Sequence, residues 1–238
     1  MDPWADYRQS NLDAARAKYQ RRAYDDRYIA FLDVLGMRNW VRKAYSDVSS
    51  IFQIVEATRL DYSQASLASG RPIVSNEQLN VTVMSDSIVV SIDVRTENAF
   101  SKMIGFCSCV IQDLIKRPDN PIFVRGGIVR GEIYHCGEIV FGPGLVEAYR
   151  LESEVAKSMR CIVSPELCEQ REIQKYIEEN GSKLRRDESD GFRFVNFIRA
   201  DNVKCLRNEV SKILKTTEDV KIRSKYMWLD QHLQHLFE

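Results

Sequence analysis

The run YIAFLDV, Tyr28 to Val34, sits between Arg27 and Gly36 and is almost wholly apolar and β-rich, so it reads as a buried strand. Further on come LNVTVMS and SIVVSIDV, parted only by Ser85-Asp86, which reads as a tight hairpin. Between these, residues 38–68 read as helix and SGRPIVSNEQ as a loop. After the hairpin, residues 97–116 read as a second helix and Arg117 to Pro121 as a proline loop. A further strand pair follows, PIFVRGGIVRG and EIYHCGEIVFG. Gly126, Gly127 and Gly131 inside it point to a bulge or a close backbone approach. GLVEAYRLESEVA reads as helix, MRCIVSPEL as a short strand entering a helix, KLRRDESDG as a solvated loop and FRFVNFI as a last strand. The order predicts an α+β chain with a ferredoxin-like βαββαβ core.

The remainder flanks that core. Residues 1–25 read as an amphipathic helical extension, with Trp4, Tyr7, Ala15 and Tyr19 on one stripe. Stretches at about 203–215 and 218–237 read as C-terminal helices. The expected division is therefore an extension over 1–25, a core domain over 26–200 and a helical extension over 201–238. The 34 basic and 34 acidic residues balance, which argues against a broad nucleic-acid-binding face. The polar N-terminus lacks the apolar segment of a signal peptide, and the longest apolar run is too short to span a bilayer. A cytoplasmic protein without direct membrane insertion is expected. Six cysteines with no C-x-x-C pair read as buried or half-buried free thiols.

Two aspartates stand out. Asp33 interrupts an apolar strand, where a carboxylate is costly unless paired or bound to metal. Asp86 lies in the hairpin turn, a position Asp often takes for local reasons. In a βαββαβ core the end of the first strand and the turn of the hairpin can meet. Together the two carboxylates could hold one or two hard divalent cations. His232 and His235 lack a third ligand, and His135 beside Cys136 reads as structural.

Four motifs in order resemble the class III nucleotidyl cyclases. They are Phe31 to Gly36 (FLDVLG), Met84-Ser85-Asp86, Val124 to Gly131 (VRGGIVRG), and Val140-Phe141-Gly142 followed by Ala148 to Ser153 (AYRLES). The resemblance implies a core of that family's type and a homodimer with active sites at the subunit interface. It implies two Mn²⁺ or Mg²⁺ ions per site on Asp33, Asp86 and the Val34 carbonyl, with Gly36 and Met37 in the triphosphate loop. Arg150 matches the arginine that stabilises the transition state on the partner's site. The reading from residues alone is an ion pair of Arg150 with Glu147 or Glu154 at helical spacing. Phe31, Gly36, Met37, Thr82 and Ile139 are the candidate substrate-binding positions.

The departures narrow the expectation. Thr82 and Ile139 stand where purine-specific members carry base-reading polar residues, Val146 replaces a ribose-contacting asparagine, and Ser85 replaces a glycine. Ser85-Asp86-Ser87, Arg125-Gly126-Gly127-Ile128 and Phe141-Gly142-Pro143 resemble the pyrimidine cyclases of bacterial Pycsar anti-phage systems. That implies conversion of UTP, or CTP, to a cyclic monophosphate that acts on a separate effector. The alternatives are a catalytically impaired nucleotide-binding regulatory domain and a purine cyclase with atypical base recognition.

Overall fold

A computed structural model describes residues 23–36, 79–115, 122–199 and 202–234. The expected first extension, the 38–68 helix, the loop after it, Met37 and His235 lie outside these residues.

Strand β1 (Asp25–Val34) lies between β3 (Ser87–Asp93) and β4 (Val124–Cys136), and β2 (Leu79–Met84) closes that side of the sheet. The order β2-β3-β1-β4 is antiparallel throughout, with β1 central. This is the ferredoxin-like strand order, in an α+β architecture. Beyond β4 the sheet continues through β6 (Cys161–Val163) and β8 (Arg193–Val195) to β7 (Leu184–Arg186), and β5 (Ile139–Phe141) pairs back on β4. The helices are α1 (Ala99–Ile115), α2 (Pro143–Arg150), α3 (Pro165–Cys168), α4 (Arg171–Glu179), α5 (Val203–Thr216) and α6 (Val220–Gln234).

Strand periodicity divides β1 between two cores. Tyr28, Ala30, Leu32 and Val34 face a large core with Ile88, Val90 and Ile92 of β3 and Met103, Phe106 and Val110 of α1. Leu206 and Val210 of α5 and Leu229 and Leu233 of α6 belong to the same core, so the C-terminal helices are packed into it. Each such fully buried side chain contributes roughly 1.5–3 kcal/mol of hydrophobic free energy. Ile29 and Phe31 face the other way, with Val89, Val129 and Ile133, under Ala148 and Leu151. This second face carries the polar groups described below.

Four expectations need correction. β4 is one continuous strand across Gly131-Glu132, with β5 as its short return. Its pairing with β1 runs without a bulge from Asp25↔Ile133 to Val34↔Val124. The glycines serve close approach instead: a Cβ on Gly127 would stand 2.7 Å from the Ala148 carbonyl oxygen and 2.9 Å from Leu151 Cβ. Second, KLRRDESDG is not wholly a loop, because Leu184–Arg186 forms β7, with Leu184 buried against the core. Third, FRFVNFI is strand only over Arg193–Val195. Fourth, Cys205 is exposed, whereas the other five free thiols are buried or half-buried.

Candidate functional site

The hairpin β2-β3 turns on Ser85-Asp86, as its spacing predicts. Ser85 takes φ 56°, a conformation that glycine adopts more cheaply. The turn folds back on the end of β1: Asp33 pairs with Ser87, and the Val34 N–H donates to the Asp86 carbonyl at 2.8 Å. Asp33 and Asp86 are thus brought to one edge of the sheet, both half-buried. Burial raises the pKa of Asp33 above the usual carboxylate range; Arg125 opposes this and the charge of Asp86 adds to it. Val34 is buried beside them, and Gly36 follows in a turn with φ 91°.

Three further charged groups converge on Asp33. Arg125, paired across from it on β4, donates its Nε–H to Asp33 Oδ2 at 3.1 Å. The same nitrogen lies 2.5 Å from Oε1 of Glu152. Glu152 is 1% exposed, with Oε1 held in that ion pair. Burial pushes its carboxyl up to about 7; Arg125 pulls against the rise and Asp33 adds to it. Glu152 reaches this place because α2 runs on into a single π-type turn, Leu151–Val155, seated against Gly127. The fourth group is Lys225 of α6, within Coulombic reach of Asp33, Arg125 and Glu152, its pKa lowered first by burial and then by Arg125.

The placement of α6 explains why Lys225 is there. The ring of Tyr226 packs edge-on against Phe123 at 5.4 Å, and the Phe123 carbonyl accepts the Leu35 N–H at 2.8 Å. At the other end, Trp228 Nε1 donates to Asp187, which also pairs with the buried Arg160.

Other site positions have different surroundings. Thr82 is buried and forms part of a directed hydrogen-bond chain. The Gly137 carbonyl can only accept, so the Thr82 hydroxyl donates to it, at 2.8 Å. Thr82 must then accept from His135 Nε2–H at 2.8 Å, which leaves Nδ1 to accept from the Ser91 hydroxyl at 2.8 Å. Arg27 Nε donates to Ser91 Oγ at 2.9 Å. His135 is therefore the neutral Nε2–H tautomer, and burial, followed by the charge of Arg27, lowers its pKa to about 4. The structural reading of His135 agrees with this.

Ile139 is partly exposed on β5, and Phe31 is buried edge-on beneath Tyr149 at 5.4 Å. Arg150 lies exposed on α2, 2.5 Å from Glu147 and 3.5 Å from Glu154, the intrahelical pairing read from the sequence. Phe141 of β5 and Val146 and Tyr149 of α2 are 50%, 67% and 54% exposed, and Val146 stands one helical turn before the arginine. Sequence reasoning missed Arg125, Glu152, Lys225, Arg27 and Ser91 as interacting groups. The available signal was a charge at an inward position of an apolar element: Arg125 in VRGGIV, and Glu152 four residues after buried Ala148.

Two carboxylates with main-chain oxygens nearby are of the donor type that a hard divalent cation takes. Among the described residues no group of three His, Cys, Asp or Glu side chains is arranged to hold a metal alone. A cavity of about 890 Å³ lies elsewhere, lined by Arg185, Arg186, Arg193, Trp228 and His232 among others. It shares no lining residue with the Asp33 cluster. Among the described residues no helix is long and apolar enough to cross a membrane.

No family model and no curated protein matches the chain. Solved structures do. The adenylyl cyclase CyaB from P. aeruginosa aligns at 15% identity and TM-score 0.46, over 75% of this chain and 97% of that one. The catalytic core of a rhodopsin-guanylyl cyclase with converted specificity, in complex with ATPαS, aligns at 11% identity and TM-score 0.44, over 74% and 97%. An adenylate/guanylate cyclase/hydrolase from Silicibacter pomeroyi aligns at 16% identity and TM-score 0.40, over 72% and 94%.

Proposed function

We propose that this chain is a pyrimidine nucleotide cyclase, which converts UTP or CTP to the 3′,5′-cyclic monophosphate and pyrophosphate. The observation that carries the reading is the meeting of Asp33 and Asp86 at one sheet edge, with Asp33 held half-buried among paired charges. Asp33, Asp86 and the Val34 carbonyl would hold two Mn²⁺ or Mg²⁺ ions. Cations held there would lower the pKa of the attacking 3′-hydroxyl and neutralise the leaving phosphates. Gly36 and Met37 would receive the triphosphate.

Arg150 completes the site of a second copy. Its planar fork suits phosphate oxygens as charge develops on them. The exposed apolar residues of α2 and β5, Val146, Tyr149 and Phe141, support a homodimer formed through these elements. Glu147 and Glu154 hold the guanidinium in the free chain, and exposed pairs of this kind are weak enough to exchange for a phosphate.

Base preference is supported by what the site does not offer. The only hydroxyl proton of Thr82 is committed to Gly137, so Thr82 can accept from a base but not donate to it. Ile139 offers neither. A purine-reading arrangement of the usual kind would leave a buried base group unpaired, at a cost of about 1–3 kcal/mol. In the wider proposal the product activates a separate effector in anti-phage defence, and no nucleic acid takes part.

The test is incubation of the purified chain with Mn²⁺ and each of the four nucleoside triphosphates, followed by chromatography. A cyclic product from UTP or CTP is expected, lost in Asp33→Ala. Absence of product from all four contradicts the reading, and product from ATP or GTP alone replaces it with a purine cyclase.

A further inference from the structure

Four charges meet at the end of β1: the carboxylates of Asp33 and Glu152, and the cations of Arg125 and Lys225. The Nε–H of Arg125 is spent on Asp33, at 3.1 Å. Glu152 Oε1 approaches the same nitrogen more closely, at 2.5 Å. Its contribution there is charge. Fold construction has gone into delivering that charge: the π-type turn and the side-chain-free surface at Gly127 seat Glu152 in the sheet. A buried carboxylate is costly on its own, so its presence calls for a role.

Without Glu152, the charges of Arg125 and Lys225 would cancel those of Asp33 and Asp86, and the field there would no longer favour an approaching cation. With Glu152 present, the carboxylates outweigh the two cations and Asp33 retains its attraction. We infer that Glu152 is a positioning residue that acts as counter-ion to Arg125 and Lys225, keeping the Asp33 carboxylate available to a divalent cation. This rests on the reading of Asp33 as a metal ligand. It makes Glu152 a part of the site without touching substrate or metal.

The test is direct Mn²⁺ binding, read from the electron paramagnetic resonance signal of free Mn²⁺, in the full chain without nucleotide turnover. Glu152→Gln keeps the shape and removes the charge, and is expected to weaken Mn²⁺ binding about tenfold or more. Arg125→Gln removes the competing cation and is expected to bind Mn²⁺ at least as well as the wild type. The double variant Glu152→Gln with Arg125→Gln is expected to recover the affinity of the wild type. A role in holding the fold alone would instead leave the double variant as weak as Glu152→Gln, or weaker, and that result overturns the inference.

Circular dichroism and thermal midpoints accompany each variant. Should Glu152→Gln fail to fold, Arg125→Gln and Lys225→Met carry the test: each is expected to hold or tighten Mn²⁺ binding, and weakening in either overturns the inference. Asp33→Asn separates the two levels. Unchanged Mn²⁺ binding there removes the metal-site reading itself. Binding lost there but undiminished in Glu152→Gln removes only the counter-ion role.

Discussion

Two buried polar groups share one face of the sheet and differ in how they are satisfied. In the first, Arg27, Ser91, His135, Thr82 and the Gly137 carbonyl form a chain in which every donor described meets an acceptor. In the second, Arg125, Asp33, Glu152 and Lys225 gather opposed charges, and one Arg125 nitrogen faces both carboxylates. A satisfied buried network fixes geometry and needs nothing more. A cluster of opposed, partly buried charges is where a charged ligand changes the balance. The first network thus reads as support for the hairpin, and the second is the one we propose as the working site.

The largest expected difference follows from removing the working carboxylate. Asp33→Asn is expected to lower turnover by at least about 10³-fold, the scale of a lost divalent-cation contribution. Its thermal midpoint should stay within a few degrees of wild type, since the charge removed is one that burial disfavours. A variant that unfolds instead would place Asp33 with the structural network. Leu32→Ala, one residue earlier on the opposite face, should do the reverse: about 2–5 kcal/mol of stability lost in chemical denaturation, with turnover per folded molecule retained.

The two groups also pull stability in opposite directions with pH. His135 has its pKa lowered from 6.5 to about 4, so the unfolded chain binds more protons in that window and its contribution is lost as pH falls. Glu152 has its pKa raised from 4.5 to about 7, so the folded chain binds more protons and its contribution is lost as pH rises. Each amounts to as much as about 3 kcal/mol, and between the two they leave a shallow profile. Denaturation of the metal-free chain across this range should show stability rising with pH in Glu152→Gln and falling with pH in His135→Phe. Parallel slopes in both variants would break the distinction between the groups. The smallest effect belongs to the turn: Ser85→Gly should add about 0.5 kcal/mol by relieving φ 56°.

Much of the core was legible. β1 and the hairpin announce themselves through apolar runs bounded by a two-residue turn, and their topology already places Asp33 near Asp86. What escaped is pairing between distant segments. Arg125 reaches Asp33 across 92 positions, and no local period records that. β7 was hidden because an edge strand can carry Arg185 and Arg186 while burying only Leu184. Lys225 comes from a helix whose seat depends on Tyr226 against Phe123 and Trp228 with Asp187, contacts that composition does not reveal. The π-type turn was equally invisible, since LESEV continues the helical pattern of α2 without a break.

We propose that the charge cluster at Asp33 becomes a cyclase site when Arg150 of a second copy joins it. Co-expression of Asp33→Ala with Arg150→Ala tests this most directly, because a mixed dimer holds one site with both residues intact. Each variant alone should be inactive toward UTP and CTP. The mixture should recover about a quarter of wild-type turnover, as random pairing of a two-fold dimer requires. A mixture that dimerises and stays inactive contradicts the account.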